Sequence, residues 1–311
     1  MHRELYRFGG VTFAVESAEG IERSKMCEPF RVEDAAADHT ICLTFSDAIP
    51  EPPQGAAQSG PVYRWQEGGA RHLLQRYSLP GKTAQFTYAA TSGAQTDVTF
   101  AESYRTGASV RAVLEAAGLF DIFADAGMLV LHSSYIVTRT GEGILFSGPS
   151  GIGKSTQAAL WERFAGARTV NGDRALVRPV ERTVGGVFYA GTSGICQNVT
   201  APLRAVVLLG QAAENRVVRA RPQEAFARLL SQCAYYEWDA ASAARMTELA
   251  AQLVTNVPVW RMDCRADESA VWALGEAMRR AGDGTQQHGA APVGVSAHAR
   301  LPGGHAAGGE F

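Results

Sequence analysis

The stretch Gly148-Pro149-Ser150-Gly151-Ile152-Gly153-Lys154-Ser155-Thr156 constrains this chain more than any other. It satisfies the pattern G-x-x-x-x-G-K-[ST] in full, and its flanks agree with it. Gly143 to Ser147 reads as a short buried strand, and Thr156 to Phe164 reads as a helix. Such a strand, loop and helix suit a phosphate ligand because the glycines let backbone amides turn inward and the helix N-terminus adds positive potential. In that frame Lys154 reaches the β- and γ-phosphates and the Ser155 hydroxyl can ligate Mg2+. A glycine- and serine-rich turn could match part of the pattern, but here strand, loop, lysine, hydroxyl and helix coincide.

The 311 residues, 46% hydrophobic and 19% charged, can bury a core unaided. The net charge of -2 comes from interspersed acids and bases without a basic block, so nucleic acid is not an expected partner. Five cysteines (Cys27, Cys42, Cys196, Cys233, Cys264) have no C-x-x-C spacing, which suits a reducing cytosol. The N-terminus lacks a signal-peptide core and no run reaches the roughly 18 apolar residues of a membrane span. The expectation is a cytoplasmic protein with no membrane partner.

Residues 1–125 read as a strand-rich region. Leu5 to Phe8 and Val11 to Val15 alternate around Gly9-Gly10, a hairpin signal. Ile41 to Phe45 is a further strand, Pro50 to Pro61 is a breaker, and Tyr63 to Trp65, Leu73 to Tyr77, Ala84 to Tyr88 and Val98 to Phe100 continue as a meander. No metal or cofactor spacing occurs there, so scaffold or substrate recognition is expected. Ser109 to Ala124 has a helical pattern interrupted at Gly118.

Residues 126–280 hold the loop. Met128 to Val137 reads as a long strand turned back by Arg139 to Gly143 into the strand before the loop, which puts His132 to Tyr135 in the same sheet. Ala167 to Asp173 reads as a strand ending in an acid, and a right-handed crossover places Asp173 at the carboxyl end of a strand parallel to the first, facing the loop. There Asp173 ligates Mg2+, accepts a proton from an attacking hydroxyl, or only caps a loop. His132 either assists that acid or is a satisfied histidine of the sheet. Arg174 either clamps a transferring phosphate or forms a solvated pair. Gly191 to Asn198 either closes over nucleotide or substrate or is an ordinary turn.

Strands are also expected at Leu176-Val177 and Val187 to Tyr189 around Gly185-Gly186, and at Leu203 to Leu209 with Arg204 toward one rim. Val257 to Met262 is expected at a sheet edge because Pro258 cannot donate. Helices follow Pro222, Asp239 and Asp267, with Trp272 on the buried face of the last. Residues 281–311, with His288, His298 and His305 among glycine and alanine, read as a disordered tail.

The segment His132 to Asp173, carrying Gly148 to Ser155 and Val170-Asn171-Gly172-Asp173, resembles the catalytic core of the HPr serine kinase/phosphorylase family, whose nucleotide domain is related to phosphoenolpyruvate carboxykinase. The resemblance implies an α/β fold with a P-loop core of that type and a mixed sheet, preceded by the strand-rich region. It implies Mg2+-dependent transfer of the γ-phosphoryl group of ATP, or of GTP, to a hydroxyl. The acceptor would be a serine of a peptide or protein, with a small-molecule hydroxyl as the other candidate, and the family's habit of assembly implies a homo-oligomer. His132 is similar to the family's histidine before the loop, and Asp173 to the second acid of its Ala-Asp-Asp run, which serves as base. Two residues depart from the family pattern. Gly172 stands at the first acid, and Thr156 stands where bifunctional members carry glutamate, so a kinase of another substrate is implied rather than phosphorylase chemistry. A nucleotide-hydrolysing switch and a non-catalytic nucleotide-binding module are the alternatives.

Overall fold

The computed structural model describes residues 1–77 and 85–286. Alternating patterns in the first hundred residues become β1 (His2–Phe8), β2 (Val11–Ser17), β3 (Arg31–Val32), β4 (His39–Phe45), β5 (Ala57–Ser59), β6 (Val62–Glu67), β7 (Ala70–Tyr77), β8 (Gln85–Ser92) and β9 (Gln95–Phe100). They form one nine-stranded sheet in the order β3-β1-β2-β4-β9-β8-β7-β6-β5. Gly9 and Gly10, at φ +56° and +90°, make the first hairpin possible because both turn positions need left-handed backbone. The sheet is more than a meander: β4 runs parallel to both β2 and β9 and joins two antiparallel ribbons. The breaker before Pro61 also contributes the short strand β5.

Helices α1 (Val110–Ala116) and α2 (Leu119–Asp125) are separated at Gly118, φ +72°, and bury Val113, Leu114, Ile122 and Phe123 against Phe8, Phe13, Ile41 and Val98 of the sheet. Ser109 caps α1 by accepting from the Ala112 amide at 3.3 Å.

The second half runs β10 (Leu129–Val137), β11 (Gly143–Ser147), α3 (Lys154–Ala165), β12 (Arg168–Asn171), β13 (Arg174–Arg178), β14 (Thr183–Gly185), β15 (Thr200–Gln211), β16 (Arg216–Arg219), α4 (Pro222–Leu230), α5 (Ala240–Asn256), β17 (Val259–Cys264) and α6 (Glu268–Gln286). The whole is therefore a mixed α/β fold, a strand-rich first region followed by helices and a mixed sheet.

Strand β15 shows why this sheet is covered on both faces. Its Ala205, Val207 and Leu209 pack with Ala158 and Trp161 of α3 and with Val271 and Leu274 of α6. The alternate Val206 and Leu208 pack with Ala225 and Leu229 of α4 and with Met246 and Leu249 of α5. Period-2 geometry with two buried faces explains the unbroken apolar run.

The pairings close a circuit. β10 is antiparallel to β11 through Ser133 to Val137 and to β13 through Leu129 to His132; β13 joins β14, β14 joins the start of β15, and β15 runs parallel to β11. Tyr135 is fully buried inside this circuit and donates its hydroxyl to the Val184 carbonyl at 3.3 Å. Gly143 leaves it room: a Cβ there would collide with Val184 Cγ1 and lie 3.1 Å from the Tyr135 ring.

Four expectations are corrected. Val259–Cys264 is an interior strand between β15 and β16, because Pro258 stands just outside it and its carbonyl still accepts from the Val206 amide at 3.0 Å. Val187 to Tyr189 is not a strand; β14 ends at Gly185, the first glycine of the pair, and Phe188 fills the first core instead. Trp272 is 52% exposed, with its indole nitrogen donating to Glu268 one helical turn back. Helix α6 continues to Gln286, past the boundary at 280, and the rest of the tail lies outside the described residues.

Replacing Gly143 by alanine is expected to lower unfolding free energy by about 1–3 kcal/mol through overpacking, whereas Trp272→Ala should stay within roughly 0.5 kcal/mol. Urea denaturation followed by circular dichroism measures both.

Candidate phosphate-binding and acid–base site

The loop begins where β11 ends. All of Gly143–Ser147 is buried between β10 and β15, and the Ser147 hydroxyl donates to the His132 carbonyl at 2.9 Å, tying the loop's root to the neighbouring strand. Gly148 has φ +145°, and a Cβ there would lie 3.2 Å from Ile152 Cγ2, so the chain's reversal depends on glycine. Gly153 at φ +112° precedes α3, whose first hydrogen bond runs from the Gln157 amide to the Gly153 carbonyl at 2.9 Å. The outer residues Pro149, Ser150, Gly151, Ser155 and Thr156 are exposed, and Ile152 and Gly153 are intermediate.

Lys154 is buried within the loop. Its ammonium donates to the carbonyls of Gly148 at 2.8 Å and Pro149 at 3.0 Å. Burial pulls its pKa below the usual lysine range, against the opposing charge of Asp173. Ser155 sits in the first turn of α3 and is exposed.

Asp173 follows β12. Both β11 and β12 are antiparallel to β10, so they run in the same direction with β10 between them, and Asp173 leaves the sheet at the end from which the loop springs. Its carbonyl accepts from the Ser133 amide at 2.9 Å. Asn171, fully buried, organises the turn: its Oδ1 accepts from the amides of Asp173 and Arg174, both at 2.9 Å, and its Nδ2 donates to the Val187 carbonyl at 2.6 Å. An Asn followed by Gly-Asp is the sequence signal for such a side-chain-supported turn.

The Gly191 to Asn198 segment walls this acid. It opens with a 3-10 turn at Gly191–Ser193, the Gln197 amide donates to the Val170 carbonyl at 2.9 Å, and the Gly172 amide donates to the Ile195 carbonyl at 3.2 Å. A Cβ on Gly191 would lie 2.8 Å from Asp173 Cγ, and one on Gly172 would collide with Ser193. The glycine at 172 is thus demanded by packing, because no acid side chain could leave the backbone in that direction.

His132 reaches Asp173 from β10, with Nε2 3.5 Å from Oδ1, an approach longer than an aligned hydrogen bond. Arg174 Nε lies 3.5 Å from the other carboxylate oxygen. Burial, then the charge of Lys154, holds the His132 pKa below the ordinary histidine value, with Asp173 acting in the opposite direction. Lys154, His132, Asp173 and Arg174 therefore share one electrostatic neighbourhood. Arg228 is a further cation that sequence reading passed over: its guanidinium donates to the Leu209 carbonyl at 2.9 Å, beside Gly148. Arg204, by contrast, pairs with Glu142 at 2.6 Å at the end of β15 remote from the loop.

Chemically, the arrangement offers a buried ammonium for an anion, an exposed hydroxyl on the next residue, and a carboxylate 3.5 Å from an imidazole whose pKa is lowered. Oxygen donors such as Ser155 and Asp173 suit Mg2+, which commonly keeps waters and takes one or two carboxylates. Among the described residues no group of three or more His, Cys, Asp or Glu could hold a metal ion, and no helix is long and apolar enough to cross a membrane.

Asn171→Ala would strand two part-buried amides and a buried carbonyl, and a loss of about 1–3 kcal/mol in urea denaturation is expected. For His132 the unfolded chain binds a proton near pH 6.5 while the folded chain resists it. The unfolded state then holds more protons in that window, so stability is full above about pH 6.5 and falls as pH drops through the lowered folded pKa. His39, buried and bonded to Thr96 at 2.8 Å, acts in the same sense. His132→Gln should therefore flatten part of the decline in Tm between about pH 7 and 5, leaving the share due to His39. Comparison of the chain with protein-family models and with curated proteins finds no match.

Proposed function

We propose that this protein is an HPr-kinase-like phosphotransferase that moves the γ-phosphoryl group of ATP to a serine hydroxyl of a peptide or protein in the cytoplasm. The observation that supports it best is the meeting of Lys154, at the loop, with His132 and Asp173 at one end of the β11-β10-β12 strand set. A lone phosphate-binding loop serves many activities; a carboxylate in the electrostatic reach of its lysine is what a hydroxyl acceptor requires.

In this reading the amides from Gly148 to Thr156 hold the phosphates and Lys154 offsets their charge. Exchanging the carbonyls of Gly148 and Pro149 for phosphate oxygens gives its ammonium partners of full negative charge. Ser155 and Asp173 would hold Mg2+, which when bound supplies neutralisation of charge across the β- and γ-phosphates. The acceptor oxygen forms a bond to the γ-phosphorus as the bond to the β,γ-bridging oxygen breaks. The hydroxyl proton passes to Asp173, and ADP leaves with the bridging oxygen. His132, neutral at pH 7, orients the carboxylate without competing for its charge. The absence of a second acid at Gly172 suits a one-way kinase.

Incubation with labelled ATP, Mg2+ and the peptides or proteins encoded beside its gene, read by mass spectrometry, tests the proposal. A gain of phosphate on serine is expected, Asp173→Asn should slow it by about 10²–10⁴-fold, and Lys154→Ala should remove ATP binding. Unchanged transfer by the asparagine variant, or steady phosphate release with no acceptor present, would overturn the reading.

A further inference from the structure

Beside Asp173, next to Arg174, a shelf of rings begins. The Arg174 guanidinium carbon lies 5.7 Å from the Tyr189 ring centre and 6.0 Å from that of Phe120. From Tyr189 the rings continue to Phe120 at 5.7 Å, to Tyr236 at 6.2 Å and to Trp238 at 5.8 Å, each of them half-buried. Arg64, only 5% exposed, lies 4.1 Å from the Tyr236 ring centre and is paired with Asp121 and Asp239, so the shelf is anchored to both halves of the chain. On the other flank of the acid, Ile195 is 41% exposed while its carbonyl binds the Gly172 amide.

Arg174 has donors to spare. Among the described residues its only carboxylate is Asp173, met through Nε, and its side chain is 32% exposed. A guanidinium laid over aromatic rings is a planar fork already oriented for a carboxylate. Lys154 and the loop amides already serve the nucleotide, which leaves Arg174 for the acceptor. The length of the row favours a peptide over a compact compound. Three successive ring contacts lead from Tyr189 to Trp238, more surface than a compact hydroxyl compound covers, and an extended chain with alternate side chains about 6.6 Å apart can follow them.

We infer, building on the phosphotransferase reading, that this surface selects an extended peptide in which the serine has an acidic residue within two positions and carries apolar residues at alternate positions on one side. Arg174 reads the acid, and the row from Tyr189 to Trp238 reads the apolar side chains.

A peptide library with a fixed central serine and degenerate flanks, incubated with the full chain, ATP and Mg2+, tests this when the phosphorylated members are sequenced. Enrichment of Asp or Glu within two positions of the serine is expected, with aromatic or branched aliphatic residues at alternate positions beyond. Because Arg174 also touches Asp173, the readout is a ratio: Arg174→Gln should lower kcat/KM for an acidic peptide relative to a neutral one roughly tenfold or more, the worth of one charge-assisted contact. Arg174→Lys should recover part of the acid preference, and Trp238→Ala should weaken the apolar preference farthest from the serine. A purely structural role for Arg174 would lower kcat/KM for acidic and neutral peptides by the same factor. That result, or phosphorylation without flanking preference, would overturn this inference and leave the kinase reading standing. Absence of any phosphorylated member, with ATP bound, would overturn both.

Discussion

The pairing of β10 with β11 is the constraint on which the rest depends. One antiparallel ladder sets Ser133 opposite Ser147 and delivers the loop from a strand whose every residue is buried. The same β10 receives β12 and β13 on its other edge, and with them Asp173. The lysine of the loop and the carboxylate are far apart in sequence only because α3 intervenes; across the sheet they are separated by one strand. The hydrogen bond from Ser147 to the His132 carbonyl fixes the loop's root to the strand that bears the histidine, so the relative placement does not depend on a mobile side chain.

Around that ladder the site is assembled mostly by backbone. Asn171 spends both ends of its side chain on main-chain groups, which turns the chain at Gly172 and aims Asp173 outward. The 191 to 198 segment then fills the space a side chain at 172 would need. The result is one carboxylate amid Lys154, His132 and Arg174, partly withdrawn from water. Such a setting strengthens each Coulomb interaction and keeps the imidazole neutral.

The N-terminal sheet is joined to this region by more than apolar contact. Arg64 on β6 reaches Asp121 of α2 and Asp239, the cap of α5, while covering Tyr236. A buried cation of this kind is weak evidence for net stability, because desolvation offsets much of the attraction. What it supplies is position: the carboxyl groups it holds stand at the start of α5 and on α2, the two helices that flank the aromatic shelf.

The sequence by itself determined whatever depends on local chemistry. The G-x-x-x-x-G-K-[ST] spacing, the paired glycines of the first hairpin, the Asp239 cap and the two-sided apolar run of β15 each state their geometry within a few residues. The direction of β12, and so the end of the sheet at which Asp173 emerges, also followed from the length of the crossover. Only tertiary structure decided which strands became neighbours. It placed β10 between β11 and β12, made β17 interior although a proline stands at its threshold, and left Trp272 facing water on a helix whose pattern alone offered it to the core. It also decided why residue 172 is glycine and which rings stand beside Arg174, because both depend on segments distant in sequence. Periodicity reports which face is apolar, and turn chemistry reports where the chain reverses. Neither encodes what a long-range partner will place against that face.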